Sequence, residues 1–475
     1  MPLNLFRAPT SGIGIDLGTS YAKVVQLAGD SKGISLTTYV FAREPNMLVD
    51  HGATDAVGRE AVLLRAMMQR AGVGRSPIVA ALPILSVFST VLQLPEMPER
   101  DMDAAVKIAA QSYVPSPLQD VVLGWTPIGK PHETEPVQES AAQGMDLSAI
   151  KPPKTTPITP AIRSSPVQAT TPGAQRFSPP SAGVPGQSFS AAAGGAPGVH
   201  AGLSEGAPLR LPPETGPQDG GKGAPDGALQ RIRGASPKET PDGAGRPVRR
   251  KVQDVFLTAA PRDLVSRYTA LFDRLGVRLE ALEVESFPLV RSLLPGEERP
   301  VLIVDLGDRT TSFSVVDGGY LRLNQAMDAG GAALTAAIET KLSLSREEAE
   351  KKKHTEGLSR PGSGPHSRLQ TGTPQTALAA AIQPVLNEII QRGDVLRRLY
   401  ERKRGRALAR IILIGGGARL LGIAEFWTEA SGLPTEVGNP WRGIMVPKVL
   451  TERLRVLGPS FAVAAGLALR PFRKT

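Results

Sequence analysis

Two short stretches place an aspartate at the end of an apolar run, a glycine two residues later and polar residues directly after. They are GIGIDLGTSYAKVVQL, Gly12 to Leu27, and VLIVDLGDRTTSFSVVDGG, Val301 to Gly319. An apolar run that stops at such a turn and then resumes predicts a β-hairpin. A Gly-Thr-Ser turn offers backbone N–H groups and hydroxyls to phosphate oxygens. A carboxylate at the strand end stands where a hydrated Mg²⁺ would bridge to that phosphate, matching an ion that takes few protein ligands and keeps several waters. The expected groups are Asp16 as metal ligand with Gly18, Thr19, Ser20 and Lys23 in the first hairpin. In the second they are Asp305 as metal ligand with Gly307, Asp308, Thr310 and Thr311. Arg309, inside the second turn, either clamps a phosphate or points to solvent. One hairpin alone reads as an ordinary turn; two of the same build suggest a clamp on the β- and γ-phosphates. A third element, RIILIGGGARLLGI (Arg410 to Ile423), is a buried strand, then Gly415, Gly416 and Gly417, then a helix start. Its glycines let backbone approach a flat ligand, and its helix N-terminus favours an anion.

The elements that must position these groups follow from composition and periodicity. At 475 residues the chain is long enough for two or more domains. It has no cysteine, which excludes disulfides, thiolate metal sites and cysteine nucleophiles and is compatible with a reducing compartment. Five histidines, none at metal-ligand spacing from another, argue against a zinc enzyme. No secretory signal pattern and no membrane-spanning apolar run is expected, so the chain reads as soluble and cytoplasmic. The net charge of +10 gathers in RRLYERKRGRALAR (Arg397 to Arg410) and GRPVRRK (Gly245 to Lys251). Too few aromatics stand near them for a base-stacking surface, so nucleic acid is not expected. The first reading is a solvated helix face and a basic linker end; the second is contact with a membrane surface or acidic partner.

From about 131 to 250 the composition changes to Pro, Gly, Ser, Thr and Ala, with about half of the chain's 43 prolines and only Phe177 and Phe189 as aromatics. It has no sustained period of 2 or 3.6 and is expected to be a disordered insertion. Before it, the pattern predicts a strand at Lys32 to Arg43 and a helix at Ala56 to Gly72. Two strands about a Pro turn, a helix at Glu99 to Pro115 and a strand at DVVLGWTPI follow. After it come the strand VQDVFLTAAP, the helix RDLVSRYTALFDRLG, and VRLEALEVESFPLVRSLL as strand into helix. The second hairpin leads to a helix, an irregular loop near Arg360 to Thr373, a long helix, RIILIGGG and a final helix. The mix points to an α/β fold in which the insertion interrupts one folded unit. The expected domains are 10–130, the insertion 131–250, and 251–475 with the C-terminal helix crossing back.

The order of Asp-Gly hairpin, Asp-Gly hairpin and Gly-Gly-Gly turn resembles the actin-like ATPase superfamily. DLGTS and DLGDRTT are similar to its phosphate loops, GGGARLLG to its adenosine loop, and EVESFPLVRSL and GPSFAVAAGLAL to its two connecting helices. Within it, AAQSYVPSPLQDVVLGW and GGAALTAAIETKLSLSREEAEKKK resemble the PilM family of type IV pilus assembly. The resemblance implies an actin-like fold of two related domains around a nucleotide cleft, with ATP and Mg²⁺ as cofactors. It implies nucleotide contacts at Gly330 and Gly331, at Ala349, Glu350 and Lys353, and at Arg419. Glu285, by its place on the first connecting helix, either activates water or only orders Mg²⁺-bound water. At most slow ATP turnover is implied. The implied partner is the cytoplasmic N-terminal segment of an inner-membrane PilN-like protein, with other pilus assembly proteins, the assembly motor and self-association also compatible. Location would be cytoplasmic, peripheral to the inner membrane, in a machine that drives twitching motility. The long insertion departs from the usual PilM pattern.

Other readings stay open at this point. A cell-division protein of the FtsA type would carry a C-terminal membrane-docking helix, and the chain stops at LALRPFRKT. The cytoplasmic part of a type II secretion platform would continue into a transmembrane helix. A sugar kinase would need a further catalytic carboxylate, for which Asp328 in NQAMDAGGAAL is the candidate. A cleft that no longer binds nucleotide is a fourth, against which two facing buried carboxylates argue.

Overall fold

The computed structural model describes residues 10–43, 48, 55–74, 76–133, 251–358 and 376–473, and all of them belong to one compact unit. A second unit, 134–190 with 223–250, and the expected loop near 360–373 lie outside the described residues.

The chain opens with β1 (Thr10–Leu17), β2 (Ala22–Asp30) and β3 (Gly33–Ala42), followed by helix α1 (Ala56–Arg70) and β4 (Ile78–Leu82). Next come β5 (Phe88–Pro95), α2 (Glu99–Tyr113), β6 (Val121–Pro127) and the two-residue β7 (His132–Glu133). Described structure resumes at β8 (Lys251–Pro261), α3 (Arg262–Leu275), β9 (Leu279–Val284) and α4 (Ser286–Leu293). The second hairpin is β10 (Val301–Leu306) and β11 (Thr311–Asp317), continued by β12 (Tyr320–Met327). Helices α5 (Gly331–Leu342), α6 (Arg346–Glu356) and α7 (Ala377–Arg404) precede β13 (Arg410–Ile414), α8 (Ile423–Ser431) and β14 (Thr435–Val437). The chain finishes with β15 (Ile444–Met445), α9 (Thr451–Leu457) and α10 (Ala462–Ala468).

The duplication expected from the hairpins extends to whole sheets. One sheet runs β15-β3-β2-β1-β4-β9 and the other β12-β11-β10-β13-β14, so five strands repeat in the same spatial order with β15 added at one edge. In each, the hairpin strand pairs antiparallel with its successor and parallel with the strand that follows a helical crossover. Asp16 stands opposite Lys23 and Asp305 opposite Ser312, at the same end of their ladders. A smaller sheet, β5-β8-β6 with β7 beside β8, carries α2 on one face through Leu92, Met102, Val106, Ala110 and Leu257.

Two expectations need correction. Residues from 251 were assigned to the second domain, yet β9 pairs with β4 and α3 packs its Leu264, Tyr268 and Phe272 into the core under the first sheet. Strand β8 likewise joins β5 and β6, and Glu133 stands opposite Lys251, so the chain leaves and re-enters the fold at adjacent positions. The second sheet begins only at Val301 because the apolar faces of β9 and α3 are complementary to the first sheet. The basic stretch 397–410 is also more than a solvated face. Arg404 and Arg322 both reach Asp254, a carboxylate only 1% exposed on β8, and Gln93 donates to its other oxygen at 3.2 Å. Arg406 and the Tyr400 hydroxyl meet the buried Asp317. Arg410 bridges Glu297 and Glu436.

Helices α4 and α10 lie between the two repeated sheets. Val79 and Ala81 of the first sheet and Val301, Ile303, Ile412 and Ile414 of the second share one apolar cluster with Leu289, Val290, Val463 and Leu467. The approach is unusually close. A Cβ on Gly466 would lie 1.9 Å from the Pro288 carbonyl oxygen. On Gly14 it would lie 2.1 Å from that of Ala464, and on Gly12 2.1 Å from that of Ala468. These glycines are there because backbone touches backbone.

Gly466→Ala is expected to destabilise by about 3 kcal/mol, since backbone atoms cannot yield as a side chain would. Removing Asp254 as Asp254→Ala should cost about 3 kcal/mol by leaving Arg322 without its buried partner. Urea unfolding of each variant against the parent checks both.

Candidate functional site

The β1–β2 and β10–β11 turns are built alike. Gly18 N–H donates to the Tyr21 carbonyl at 3.0 Å, and Gly307 N–H to the Thr310 carbonyl at 2.9 Å. Both turns open into one cavity of about 380 Å³, within the range of small-molecule sites. Its floor carries the strand-end carboxylates Asp16 and Asp305 with Glu285, the residue just before α4. Lys23, opposite Asp16 in the ladder, donates to it at 2.8 Å. No described side chain donates a hydrogen bond to Asp305. Its position is instead fixed by Gly415, where a Cβ would lie 2.3 Å from Asp305 Oδ1 and where φ is +84°.

Three carboxylates thus share one ammonium. Burial first, then the charges of Asp16 and Asp305, push Glu285 up to about 8 against the pull of the Ile84 N–H at 3.2 Å and of Lys23. Asp305 is raised to about 6 by burial, which Lys23 counters and Asp16 reinforces. Burial works against the charge on Lys23, but Asp16 overcomes it, with Asp305 and Glu285 adding to the pull, and the ammonium is held above its ordinary range. This donor set fits a divalent cation that prefers hard oxygens. Among the described residues no group of three side chains is placed to ligate a metal by itself, so such an ion would need oxygens from water or a phosphate.

The cavity's other end is bounded by α5, α6 and the Gly415–Gly417 turn. Here the structure separates groups that the sequence treated together. Gly18, Thr19, Ser20, Gly307, Thr310, Gly331, Glu350, Lys353, Gly415, Gly416, Gly417 and Arg419 all line it. Lys353, however, is 9% exposed in its side chain, and its ammonium is occupied by Glu350 at 2.8 Å, Thr335 at 2.7 Å and the Gly331 carbonyl at 3.1 Å. It therefore positions Glu350 and the start of α5 and does not itself offer a free charge. Hydrogen bonding from His354 and then from Lys353 and Thr335 outweighs burial and holds Glu350 far below the usual carboxylate range. Arg419 is exposed at the cavity wall and has no ion-pair partner among the described residues.

Three expected contacts do not reach the cavity. Ala349 is fully buried, packed into the core under the second sheet. Thr311 is fully buried and donates to the Ala329 carbonyl at 2.6 Å, because alternation along β11 turns it away. Gly330 is absent from the lining and instead packs on the second turn, where a Cβ would lie 2.6 Å from the Gly307 carbonyl. Arg309 is exposed and outside the lining, which favours its solvent reading. Asp328 is also exposed and outside it, so the kinase reading lacks its carboxylate. Sequence reasoning missed an apolar wall of Phe41, Leu334, Leu420, Leu457 and Phe461. Only the closeness of Phe41 to Tyr21 and Phe461 in space reveals that wall.

The raised Glu285 has a consequence for stability. Its folded value, about 8, lies above the ordinary 4.5, so the folded state keeps a proton that the unfolded state releases. The contribution is fully present below pH 4.5 and is lost as pH rises through about 8. Without ligand, stability should fall between pH 6 and 8.5, and Glu285→Gln should flatten that fall and gain at least about 1 kcal/mol at pH 8.5. Urea midpoints across that range measure it; parallel profiles for the two proteins would show that Glu285 titrates as an ordinary carboxylate.

Among the described residues no helix is long and apolar enough to cross a membrane. The chain shares 28% identity over 229 residues with the cell division protein FtsA of Neisseria meningitidis serogroup B (strain ATCC BAA-335 / MC58), covering 45% of this chain. It spans about half the length, 53%, of that curated relative. A solved structure described as the PilM-PilN type IV pilus biogenesis complex is similar over 98% of this chain and 100% of that one, with a TM-score of 0.61 and 21% identity. The fold is therefore the actin-like α/β fold. A sequence model of the family described as type IV pilus assembly protein PilM matches residues 14–142 and 245–472, well over half of the chain. With both Asp-x-Gly turns, the glycine turn and the crossing helices inside those limits, the chain belongs to the PilM family of type IV pilus assembly proteins.

Proposed function

We propose that the cleft binds Mg-ATP and that the protein is a nucleotide-responsive cytoplasmic component of the inner-membrane pilus assembly complex. The observation that carries this is the convergence of two identically built turns, each headed by a strand-end carboxylate, on one cavity beside a glycine turn. Gly18, Thr19, Gly307 and Thr310 would contact phosphate oxygens from two sides, and Arg419 would add a cation. Asp16 and Asp305 would hold the metal, which when bound supplies positive charge at the phosphates. Glu350 offers an ionised carboxylate to ligand hydroxyls. Glu285, pushed up to about 8, holds a proton at neutral pH, and a cation beside Asp16 and Asp305 would draw it toward the ionised form that can accept a proton from water. That supports slow turnover at most.

The likeness to a PilM-PilN complex supports the cytoplasmic N-terminal segment of a PilN-like membrane protein as the partner. Association with the membrane would then be indirect and would serve twitching motility. Closure of two sheets about a ligand is a physical route by which nucleotide could change the partner surface.

Thermal unfolding with and without Mg-ATP is the test, beside an Asp16→Asn, Asp305→Asn double variant. Ligand at a hundredfold excess over its dissociation constant should add about 2.7 kcal/mol of stability to the parent and far less to the variant. No change in the parent at millimolar Mg-ATP would defeat the nucleotide reading. Fluorescence anisotropy of a labelled PilN-like N-terminal peptide, with and without nucleotide, tests the partner.

A further inference from the structure

The two turns are not equivalent in charge. Counting from the strand-end aspartate, the third residue is Thr19 in the first turn and Asp308 in the second. The tips of the turns also touch, since the Ser20 hydroxyl donates to Asp308 Oδ2 at 2.5 Å across 288 residues of sequence. Both side chains line the cavity. The backbone beneath Asp308 is held firmly. Ala332 N–H donates to its carbonyl at 2.7 Å, and Gly331 N–H donates to the Gly307 carbonyl at 2.9 Å. Its carboxylate therefore projects from a fixed base into the space between the turns, and only side-chain rotation can move it. The hydroxyl it occupies is one that a phosphate oxygen would use, and a carboxylate acceptor makes a strong, charge-assisted bond.

We infer that Asp308 is a specificity-determining residue of the nucleotide site, an internal anion that ties the two turns together when the cleft is empty and competes with the phosphate chain for Ser20. This rests on the nucleotide reading above. Like charges at close range repel, so the penalty grows with the charge of the ligand and is larger for a triphosphate than for a diphosphate. The neighbouring acids Asp16, Asp305, Glu285 and Glu350 deepen the effect. Lys23 and Lys353 are already bonded within the protein, which leaves Arg419 to offset it.

Isothermal titration of the full chain with Mg-ATP and Mg-ADP tests this, using the parent, Asp308→Ala and Asp308→Asn. Asp308→Ala should bind Mg-ATP about tenfold more tightly, with a smaller gain for Mg-ADP. Asp308→Asn, isosteric and uncharged, should keep most of that gain, and it serves if the alanine variant folds poorly. In ligand-free thermal unfolding, Asp308→Ala and Ser20→Ala should each lower the melting temperature. Their combination should lower it no further than the worse of the two. Nucleotide binding by the parent with unchanged or weaker binding by both Asp308 variants would overturn the role of Asp308 alone. No binding by any of the three proteins would overturn the nucleotide reading and this inference with it.

Discussion

The contact on which the rest of the structure depends is the passage of helix α10 between two surfaces made of backbone. On one side Gly12 and Gly14 leave β1 bare; on the other Gly466 of the helix meets the Pro288 carbonyl of α4. The sequence AVAAGLA is what makes this passage possible, because larger side chains would force the sheets apart. The same crossing fixes the distance between the strand ends that carry Asp16 and Asp305. Gly12, Gly14 and Gly466, which make this close approach, all lie outside the cavity lining. Salt bridges of Glu283 with Arg291 and Arg470 secure the far end of the crossing, where Arg291 also donates to the Gly466 carbonyl. A smooth interface pinned at one end suits a small sliding motion better than a free hinge.

Within that frame the two repeats have kept their geometry and divided their chemistry. The residue opposite the strand-end aspartate is lysine in one sheet and serine in the other. Among the described residues the ammonium on the cavity floor therefore belongs to the first repeat, and Asp305 draws on it from a distance. A half-buried carboxylate without a close partner is unfavourable by itself. On the nucleotide reading proposed above, a cation and its anionic ligand entering together would offset that cost. Folding of the floor and filling of the cleft are in that sense one electrostatic problem.

Much of this was legible in the chain because it depends on local pattern. Apolar runs ending in Asp-x-Gly gave both hairpins, and glycines after an apolar strand gave the third turn. A stretch of small apolar residues gave the crossing helix. Positions that line the cavity were legible wherever backbone geometry alone sets them, as at Gly18, Gly307 and Gly415 to Gly417. What could not be read depends on partners distant in sequence. Nothing near Lys353 says that Thr335 and the Gly331 carbonyl consume its donors. One step along the chain separates Thr310, which lines the cavity, from Thr311, which does not. The pairing of β9 with β4 crosses the long inserted segment, so the chain order alone could not say that the strands directly after 251 belong with the first sheet. The basic stretch looked solvated because its acceptors, Asp254 and Asp317, lie on other strands.

Asp254 also explains how the small sheet is oriented against the second repeat. Apolar contacts are tolerant of sliding, whereas a buried carboxylate shared by Arg322 of β12 and Arg404 at the end of α7 accepts one arrangement. It stands three residues after Lys251, where the chain re-enters the fold opposite Glu133. The strand that receives the end of the inserted segment is therefore the strand that grips the second half.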